Sequence, residues 1–232
     1  MAAHRGLICV SVLAVDNGAV LAAVAPVAPL ADVIEIRIDG LREPLTADCI
    51  AALPKPVLAT NRPVWEGGQY AGSETERIDQ LCRALRGGAR YVDIELRTAP
   101  ELRNRLLHEA KQQGAEVIVS SHDFAGTPST EQLTATLRQM IASGADIGKI
   151  VTTAAAPGDA LRVLALQQEA MAARFPLSAF AMGAAGTISR LATLYLGGFM
   201  TYAALSRAQA TAPGQLTVHD LHNLLALLEP SP

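Results

Sequence analysis

A lysine inside an apolar run is the residue of this sequence whose chemistry is most informative. Lys149 is one of only three lysines and lies in the stretch Asp146-Ile-Gly-Lys-Ile-Val-Thr-Thr153, whereas Lys55 stands between two prolines and Lys111 is followed by two glutamines. Burial removes the water that stabilises an ammonium ion, and a neutral amine can attack a carbonyl carbon to form a Schiff base. Lys149 is therefore a candidate nucleophile, and the alternative is a lysine paired with an interior carboxylate.

A histidine closes the apolar run that precedes the one containing Lys149. His122 ends the stretch Val117-Ile-Val-Ser-Ser-His122. An imidazole titrates near neutrality, so it can remove and return a proton at cellular pH. A lone histidine at the end of a strand is more often a hydrogen-bonded structural residue, but this one would lie on the strand next to Lys149. The remaining histidines have no comparable context: His4, His108, His219 and His222.

Charged residues alternate with apolar ones in two further runs, over residues 33–39 and 91–96. Side chains of a strand alternate between its two faces, so each run has one apolar face and one charged face. The charged faces would point toward the axis of a barrel, either as a structural layer of ion pairs or as part of a functional site. They contain Glu35, Arg37 and Asp39 in the first run and Asp93 and Glu95 in the second.

The elements that must position these residues follow from a repeated alternation along the chain. Short apolar runs rich in β-branched residues are each followed by helical spacing or turn residues, which is typical of βα units around a parallel sheet. Eight such units predict the α/β class and a (β/α)8 TIM barrel, as one domain over residues 1–232. The predicted strands are Leu7–Val12, Val33–Asp39, Val57–Thr60, Tyr91–Leu96, Glu116–His122, Ile147–Thr153, Leu177–Met182 and Gly198–Ala203.

The helices between the strands are predicted from their first turns and from their apolar stripes. Ser73 with Glu76, and Thr98 with Glu101, have the spacing of capping boxes, which satisfy the free amides at the start of a helix. Residues spaced i, i+3, i+4, i+7 lie on one face of a helix, and when apolar they predict the face that packs on the core. Two stripes have this spacing: Ile78, Leu81, Cys82 and Leu85, and Leu221, Leu224, Leu225 and Leu228.

Composition excludes several classes of protein and partner. Hydrophobic residues make up 50% of the chain and aromatic residues 4%, which favours a parallel sheet covered by helices over a β-sandwich. The net charge of -3, with no basic cluster, indicates no nucleic-acid partner. No histidine or cysteine pair has ligand spacing and no glycine-rich nucleotide fingerprint occurs, so we expect neither a metal nor another cofactor.

The cysteines and the first residues indicate a cytoplasmic protein without a membrane segment. Cys9, Cys49 and Cys82 are odd in number and show no CxxC spacing, so we expect them to be buried free thiols in a reducing compartment. His4 and Arg5 before an apolar run loosely resemble a signal peptide, but a buried first strand explains the same residues. That run is too short to cross a bilayer.

Taken together, seven segments in register resemble the type I 3-dehydroquinate dehydratases. Any one of them alone would be a weak signal, whereas the seven in order, with lysine and histidine at adjacent strand ends, are specific. The match runs from Glu35 to Gln215. The segments are Glu35-Ile-Arg37-Ile-Asp39, Arg62-Pro-Val-Trp-Glu66-Gly-Gly68, Tyr91-Val-Asp-Ile-Glu95, Ser120-Ser-His122-Asp, Asp146-Ile-Gly-Lys149, Met182-Gly183 with Ser189-Arg190, and Ala212-Pro-Gly-Gln215.

The resemblance implies an activity and a role for each matching residue. Lys149 would form a Schiff base with 3-dehydroquinate, His122 would be the acid and base, and Glu66 would orient His122. The substrate would be held by Glu35, Arg37, Arg62, Arg190, Thr211 and Gln215, with Arg190 on its carboxylate and Gln215 on a closing loop. Thr211 replaces a serine that is frequent in the family and Phe180 a frequent methionine. The family also implies a homodimer.

Two other interpretations remain open at this point. Another Schiff-base barrel, such as a class I aldolase, would explain Lys149 but not His122 together with the Glu66-Gly-Gly and Ala-Pro-Gly-Gln215 segments. A non-catalytic barrel that binds a small hydroxy acid would not need a desolvated amine beside a proton shuttle. Replacing Lys149 with alanine separates these classes, because binding would survive in a scaffold while turnover would vanish in an enzyme.

Overall fold

The computed structural model describes residues 5–229, and in them eight parallel strands alternate with eight α-helices. The strands pair in the order β7-β6-β5-β4-β3-β2-β1-β8. Between the two end strands, the backbone N–H of Phe199 donates to Leu177 O at 2.9 Å, and Met200 N donates to Ser178 Oγ at 3.1 Å. The sheet is thus a nearly closed barrel. Its strands are Leu7–Val12, Val33–Arg37, Val57–Thr60, Tyr91–Glu95, Glu116–His122, Ile147–Thr153, Leu177–Met182 and Met200–Ala204, β1 to β8.

Helices cover the outside of the barrel, as the alternation in the sequence predicts. Short 3-10 turns lie at residues 28–30, 38–40, 64–66, 184–186 and 207–209. The eight α-helices, α1 to α8, are Asn17–Val24, Ala47–Ala52, Glu74–Arg86, Pro100–Gln113, Thr130–Ala142, Pro157–Ala172, Thr187–Tyr195 and Val218–Leu228. The prediction of a (β/α)8 barrel is confirmed. His4, on which part of the signal-peptide comparison depends, lies outside the described residues.

Three predicted strands differ from the structure in their bounds, the last of them at both ends, since it ends at Ala204 and not at Ala203. The second strand ends at Arg37, because Ile38–Gly40 forms a 3-10 turn, so Asp39 leaves the strand. The fourth strand ends one residue early, at Glu95. The last strand begins at Met200, because the backbone N–H of Gly198 donates to Thr193 O at the end of α7 instead of joining the sheet.

Of the two predicted capping boxes, one is present only as its N-cap hydrogen bond and the other is wrong. Ser73 caps α3, where its hydroxyl accepts from Glu76 N at 3.2 Å. Helix α4, in contrast, begins at Pro100 with Ala99 as its N-cap and no side-chain cap. The hydroxyl of Thr98 accepts a hydrogen bond from Arg77 Nη2 at 2.9 Å instead. The spacing in the sequence had predicted that the Thr98 hydroxyl caps α4, but the buried Arg77 uses it as an acceptor.

The apolar stripe of α3 is buried as predicted, but that of α8 is buried only in part. Leu221 and Leu225 are 1% and 3% exposed, whereas Leu224 is 36% and Leu228 56% exposed. Leu227, at 83%, adds to the exposed side of the same helix. Helix α8 therefore carries apolar residues on both its core face and its outer face. The three cysteines are buried and free, in agreement with the prediction.

The interior of the barrel is divided into an apolar layer and a polar layer. Val33, Tyr91, Ile147 and Met200, each the first residue of its strand, belong to one buried apolar cluster with Cys9. Buried polar side chains lie further along the strands, at Ser11, Glu35, Thr60, Asp93, Glu95, Ser120 and Lys149. The polar groups are therefore displaced toward the carboxyl ends of the strands, the end at which barrels of this kind place their chemistry.

Candidate active site

Lys149 lies in the middle of β6 with its side chain turned into the barrel, where the residue is 5% exposed. Its Nζ is 3.3 Å from Asp93 Oδ2 and 4.0 Å from Glu35 Oε1. The same nitrogen lies 3.8 Å from the centroid of the Tyr202 ring. The lysine is thus paired with an interior carboxylate, one of the two alternatives that its sequence left open, and it also faces a cavity.

His122 ends the neighbouring strand, and its ring is fixed by a carboxylate from another part of the chain. Parallel pairing places Ser120 beside Lys149 and His122 beside Val151. Oε1 of Glu66 accepts from the His122 backbone N–H at 2.9 Å and lies 3.1 Å from Nδ1 of the ring. Burial holds the pKa of His122 well below its usual value, and the charges of Arg62 and Lys149 add to this effect. The imidazole is therefore neutral at neutral pH and available as a base.

Glu66 reaches His122 because a tight turn follows β3. Residues 64–66 form a 3-10 turn that ends at Gly67, whose φ of +78° is a left-handed conformation that glycine adopts without strain. A Cβ atom at Gly67 would also stand 2.3 Å from the ring of Phe124, so a side chain at this position would displace that ring. Burial raises the pKa of Glu66 to about 7, although the positive charge of Arg62 opposes the shift.

Arg62 joins the carboxylates on the floor of the site. Its guanidinium pairs with Asp93 at 2.8 Å and with Glu95 at 2.5 Å, and it donates to Ser120 Oγ at 2.7 Å. Burial disfavours the charged form of Asp93. The positive charges of Arg62 and Lys149 outweigh this effect of burial and lower the pKa of the Asp93 carboxyl. The acidic groups seen at period two in the sequence are therefore paired, as the low dielectric of the interior requires.

The two polar residues of β2 lie at the same level. Glu35 accepts a hydrogen bond from Thr60 Oγ1 at 2.8 Å and another from Ser11 Oγ. Arg37 makes a bidentate pair with Asp39, at 2.8 Å from Nε and 2.5 Å from Nη2. Both side chains line the cavity that contains Lys149. Arg37 is therefore held in one orientation, with its outer edge toward the cavity.

Arg190 differs from the other arginines of the site because no carboxylate pairs with it among residues 5–229. It lies on α7, 2% exposed, with its guanidinium 4.8 Å from the centroid of the Phe180 ring. Its Nη2 donates to Pro213 O at 3.2 Å, while the buried Nε has no acceptor within the described range. Burial lowers the pKa of Arg190 to about 10. The site thus contains a desolvated cation that could bind an anionic group.

The segment after β8 covers the cavity with polar side chains. Gln215 Oε1 accepts from the Thr211 backbone N–H at 2.8 Å and from its hydroxyl at 3.2 Å. The hydroxyl oxygen of Thr211 also lies 3.3 Å from Ser11 Oγ, and this contact joins the segment to β1. Gly214, at φ +72°, allows the chain to turn between Pro213 and Gln215.

One cavity brings together every residue that the sequence marked as catalytic or substrate-binding. It also contains residues that sequence reasoning missed, among them Tyr202 and Phe124. The only sequence signal for Tyr202 is that it is a single aromatic residue in the last apolar strand. The ring of Phe124 stacks near that of His122, with 6.2 Å between the ring centroids. The predicted residues that line it are Lys149, His122, Glu66, Glu35, Arg37, Arg62, Arg190, Thr211 and Gln215.

Over residues 5–229, histidine, cysteine and carboxylate side chains form no group of three that could hold a metal ion. No helix in that range has both the length and the apolar character needed to cross a membrane.

The family model described as type I 3-dehydroquinase matches residues 8–232. The chain belongs to the type I 3-dehydroquinase family. A 3-dehydroquinate dehydratase of Desulfotalea psychrophila is 42% identical to it over 196 residues, which are 84% of this chain and 87% of the relative. Membership of the type I 3-dehydroquinases sets aside the class I aldolase interpretation, because it accounts for the histidine and the glycine segments together with the lysine.

Solved structures of type I 3-dehydroquinases have the same fold over nearly the whole chain. A 3-dehydroquinate dehydratase of Geobacillus kaustophilus is 31% identical with a TM-score of 0.87, covering 97% of this chain and 91% of its own. The Clostridium difficile enzyme, solved with covalently modified comenic acid, is 26% identical with a TM-score of 0.85, covering 97% and 92%.

Proposed function

We propose that this chain dehydrates 3-dehydroquinate to 3-dehydroshikimate through a Schiff base on Lys149. As a type I 3-dehydroquinase it is a hydro-lyase of the shikimate pathway. The observation that supports the mechanism best is the arrangement of three groups around one cavity: a buried amine, a neutral imidazole held by a carboxylate, and a desolvated arginine that has no carboxylate partner in the described part of the chain.

The first part of the reaction joins the substrate to the protein. The ammonium of Lys149 first gives a proton to the neutral ring of His122, and the freed lone pair of Nζ attacks the ketone carbon, so that a C–N bond forms as the C=O bond opens. The oxygen takes one proton from the attacking nitrogen and one back from His122 and leaves as water, which yields a cationic iminium and a neutral imidazole. Asp93, 3.3 Å from Nζ, provides a negative charge that stabilises the iminium cation. The iminium withdraws electrons from the adjacent carbon and makes its C–H bond acidic enough for a weak base.

His122 serves as that base and then as the acid. Its neutral ring takes the proton from the carbon next to the iminium, and the C–H electrons form an enamine. The enamine electrons return, the bond to the β-hydroxyl breaks, and the imidazolium gives its proton to the departing oxygen as water. Hydrolysis of the product iminium restores Lys149. Glu66, at 3.1 Å from Nδ1, stabilises the imidazolium and keeps the ring in place.

The other polar residues of the cavity hold the substrate. Arg190 binds the carboxylate, for which a planar guanidinium offers two parallel donors. Glu35, Arg37 and Arg62 contact the ring hydroxyls and organise the carboxylates around them. Thr211 and Gln215 contribute from the segment over the cavity, where their side chains already bond to one another. No cofactor is needed in this scheme, because the lysine itself supplies the electron sink.

Reductive trapping tests the proposal directly. The protein is incubated with 3-dehydroquinate, reduced with borohydride, and digested for peptide mass spectrometry. We expect a ligand-sized mass on Lys149 and none on the exposed Lys111, which serves as the internal control. A folded protein without an adduct would overturn the dehydratase mechanism and favour a non-catalytic barrel. The covalent ligand in the Clostridium difficile structure is consistent with a nucleophile in a related site.

A homodimer is the expected assembly. Leu224, Leu227 and Leu228 form an exposed apolar stripe on α8 that a second copy could cover. Sedimentation velocity should give the mass of a dimer, and a monomer at micromolar concentration would contradict this part of the proposal.

We also propose a cytoplasmic location and a single domain over residues 1–232. The free, buried cysteines suit a reducing compartment. Cell fractionation and limited proteolysis test these two statements.

A further inference from the structure

Asp39 is a fully buried carboxylate at the edge of the site, and four hydrogen bonds converge on it. Its side chain is 0% exposed. Oδ1 accepts from Arg37 Nε at 2.8 Å and from the backbone N–H of Arg62 at 3.2 Å. Oδ2 accepts from Arg37 Nη2 at 2.5 Å and from the backbone N–H of Gln69 at 3.0 Å. Each of the four hydrogen bonds comes from a different N–H, so each carboxylate oxygen of Asp39 accepts two hydrogen bonds.

The four donors belong to three separate pieces of the site. Arg37 ends β2, and Arg62 follows β3. Gln69 lies three residues after Glu66, on the other side of the turn made by Gly67 and Gly68. The carboxylate of Asp39 therefore connects a side chain of the cavity to both ends of the segment that carries Glu66, although Asp39 itself does not line the cavity.

We propose that Asp39 is a positioning residue that sets the orientation of Arg37 and the placement of Glu66 against His122. The inference deepens the proposed function and rests on it. Asp39 acts through two routes that kinetics can separate. Loss of the Arg37 contact weakens substrate binding, whereas displacement of the Glu66 turn loosens the His122 ring and slows proton transfer.

Substitution by asparagine tests the carboxylate with the smallest change in shape. An asparagine has one oxygen and one NH₂ group, and the NH₂ group donates. Whichever way the amide is placed, its hydrogens face one guanidinium N–H and one backbone N–H. Asp39→Asn therefore loses at least two accepted hydrogen bonds and replaces them with donor-to-donor contacts. We expect kcat to fall about 10- to 100-fold, the range associated with a small misplacement of catalytic groups.

Asp32 provides a matched control. It accepts from a backbone N–H and an arginine, Ile8 N at 2.8 Å and Arg5 Nη1 at 2.8 Å, but its side chain is 34% exposed and it precedes β2 at the opposite end of the barrel. Asp32→Asn should leave kcat and KM close to the wild-type values. A loss of activity in Asp39→Asn that Asp32→Asn reproduces would point to general destabilisation and overturn the positioning role.

A double-mutant cycle identifies the route through Glu66. If Asp39 acts on proton transfer by holding the Glu66 turn, Asp39→Asn should change kcat little in a Glu66→Gln background. Its effect on KM, which passes through Arg37, should persist there. Additive effects on kcat would show that Asp39 does not act through Glu66 and would sink the proposal.

A second pair of variants does not depend on the folding of Asp39→Asn. Gln69 is exposed, and Gln69→Pro deletes the N–H that Asp39 accepts and also fixes φ at this position, whereas Gln69→Ala retains the N–H. We expect Gln69→Pro to lower kcat in the same direction as Asp39→Asn and Gln69→Ala to be unchanged. Equal activities would contradict the proposal.

Reductive trapping of the wild type separates the two proposals. If the wild type forms no adduct with 3-dehydroquinate, the proposed function fails as well. If it forms the adduct and the comparisons of variants fail, only the role of Asp39 is lost.

Discussion

Oε1 of Glu66 lies 3.1 Å from Nδ1 of His122 and also accepts the backbone N–H of the same residue at 2.9 Å. The two residues are 56 positions apart in the chain. A single oxygen thus fixes both the end of β5 and the ring that the strand carries. With a proton on Nδ1, the nitrogen on the other side of the ring is left as the basic atom.

This pair predicts the acid side of the pH profile. Burial raises the pKa of Glu66 to about 7 and holds that of His122 well below its usual value. As the pH falls through about 7, Glu66 takes up a proton and no longer stabilises the imidazolium. We expect kcat to decline through that region. In Glu66→Gln the amide does not titrate, so kcat should be lower and this decline should disappear.

Steady-state rates of both proteins in overlapping buffers measure this prediction. Circular dichroism at each pH serves as the control for unfolding. A wild-type profile that stays flat on the acid side would count against the roles of His122 and Glu66. The same holds for a Glu66→Gln profile with an unchanged acid limb.

Lys149→Ala should abolish turnover while substrate binding survives. The variant lacks the nucleophile, so we expect a loss of kcat on the order of 10³-fold or more, as for other residues that act as a covalent unit. Lys111→Ala, on the exposed face of α4, is the matched control and should be fully active. Isothermal titration with 3-dehydroquinate measures binding. Residual turnover near the wild-type level in Lys149→Ala would require a different mechanism.

Arg190→Gln should act mainly on KM. Arg190 is desolvated and lacks a carboxylate partner in the described range, so a substrate carboxylate would gain charge-assisted hydrogen bonds there. Such bonds contribute about 1.5–3 kcal/mol, which corresponds to roughly a 10- to 100-fold rise in KM. Arg190→Lys should restore only part of the affinity, because an ammonium cannot offer two parallel donors.

Arg138→Gln on the exposed face of α5 is the control for loss of one positive charge. If Arg190→Gln lowers kcat and leaves KM unchanged, the carboxylate is bound elsewhere. Initial rates over a range of 3-dehydroquinate concentrations distinguish the two results.

Arg77→Met should destabilise the fold. Arg77 is 0% exposed and bonds to Glu95, to Thr98 Oγ1 and to Asn61 O, so its loss leaves buried acceptors without a donor. Removal of one partner of a buried pair costs about 3–5 kcal/mol. Arg86→Met is the matched control, since Arg86 pairs with Glu109 at the surface, where such pairs contribute about 1 kcal/mol or less. Urea unfolding followed by circular dichroism compares them, and equal losses would contradict the prediction.

Much of the barrel could be predicted from periodicity, and the reason is local. Apolar residues that recur with period two in a strand, or with helical spacing in a helix, indicate which face of the element is buried. Seven of the eight strands therefore start where the sequence predicts. The parallel order of consecutive strands then places Lys149 and His122 on neighbours. The family resemblance supplied the identity of the substrate and the remaining site residues. All of these residues line one cavity.

Other features were decided by the tertiary structure. Thr98 has the spacing of a helix cap, yet it bonds to Arg77, because a buried guanidinium must find acceptors wherever the fold places them. Asp39 reads as one more strand residue, but the strand ends before it and its carboxylate gathers donors from three segments. Leu224 and Leu228 fit the core stripe of α8 and are exposed.

The sequence by itself therefore determined the order of the elements, the face that each strand buries, and the adjacency of the lysine and the histidine. Only the tertiary structure decided which buried charges pair, how the turn after β3 brings Glu66 to His122, and which arginine of the site has no carboxylate partner among residues 5–229. Local patterns encode burial, whereas the partner of a buried polar group depends on the register and closure of the whole barrel.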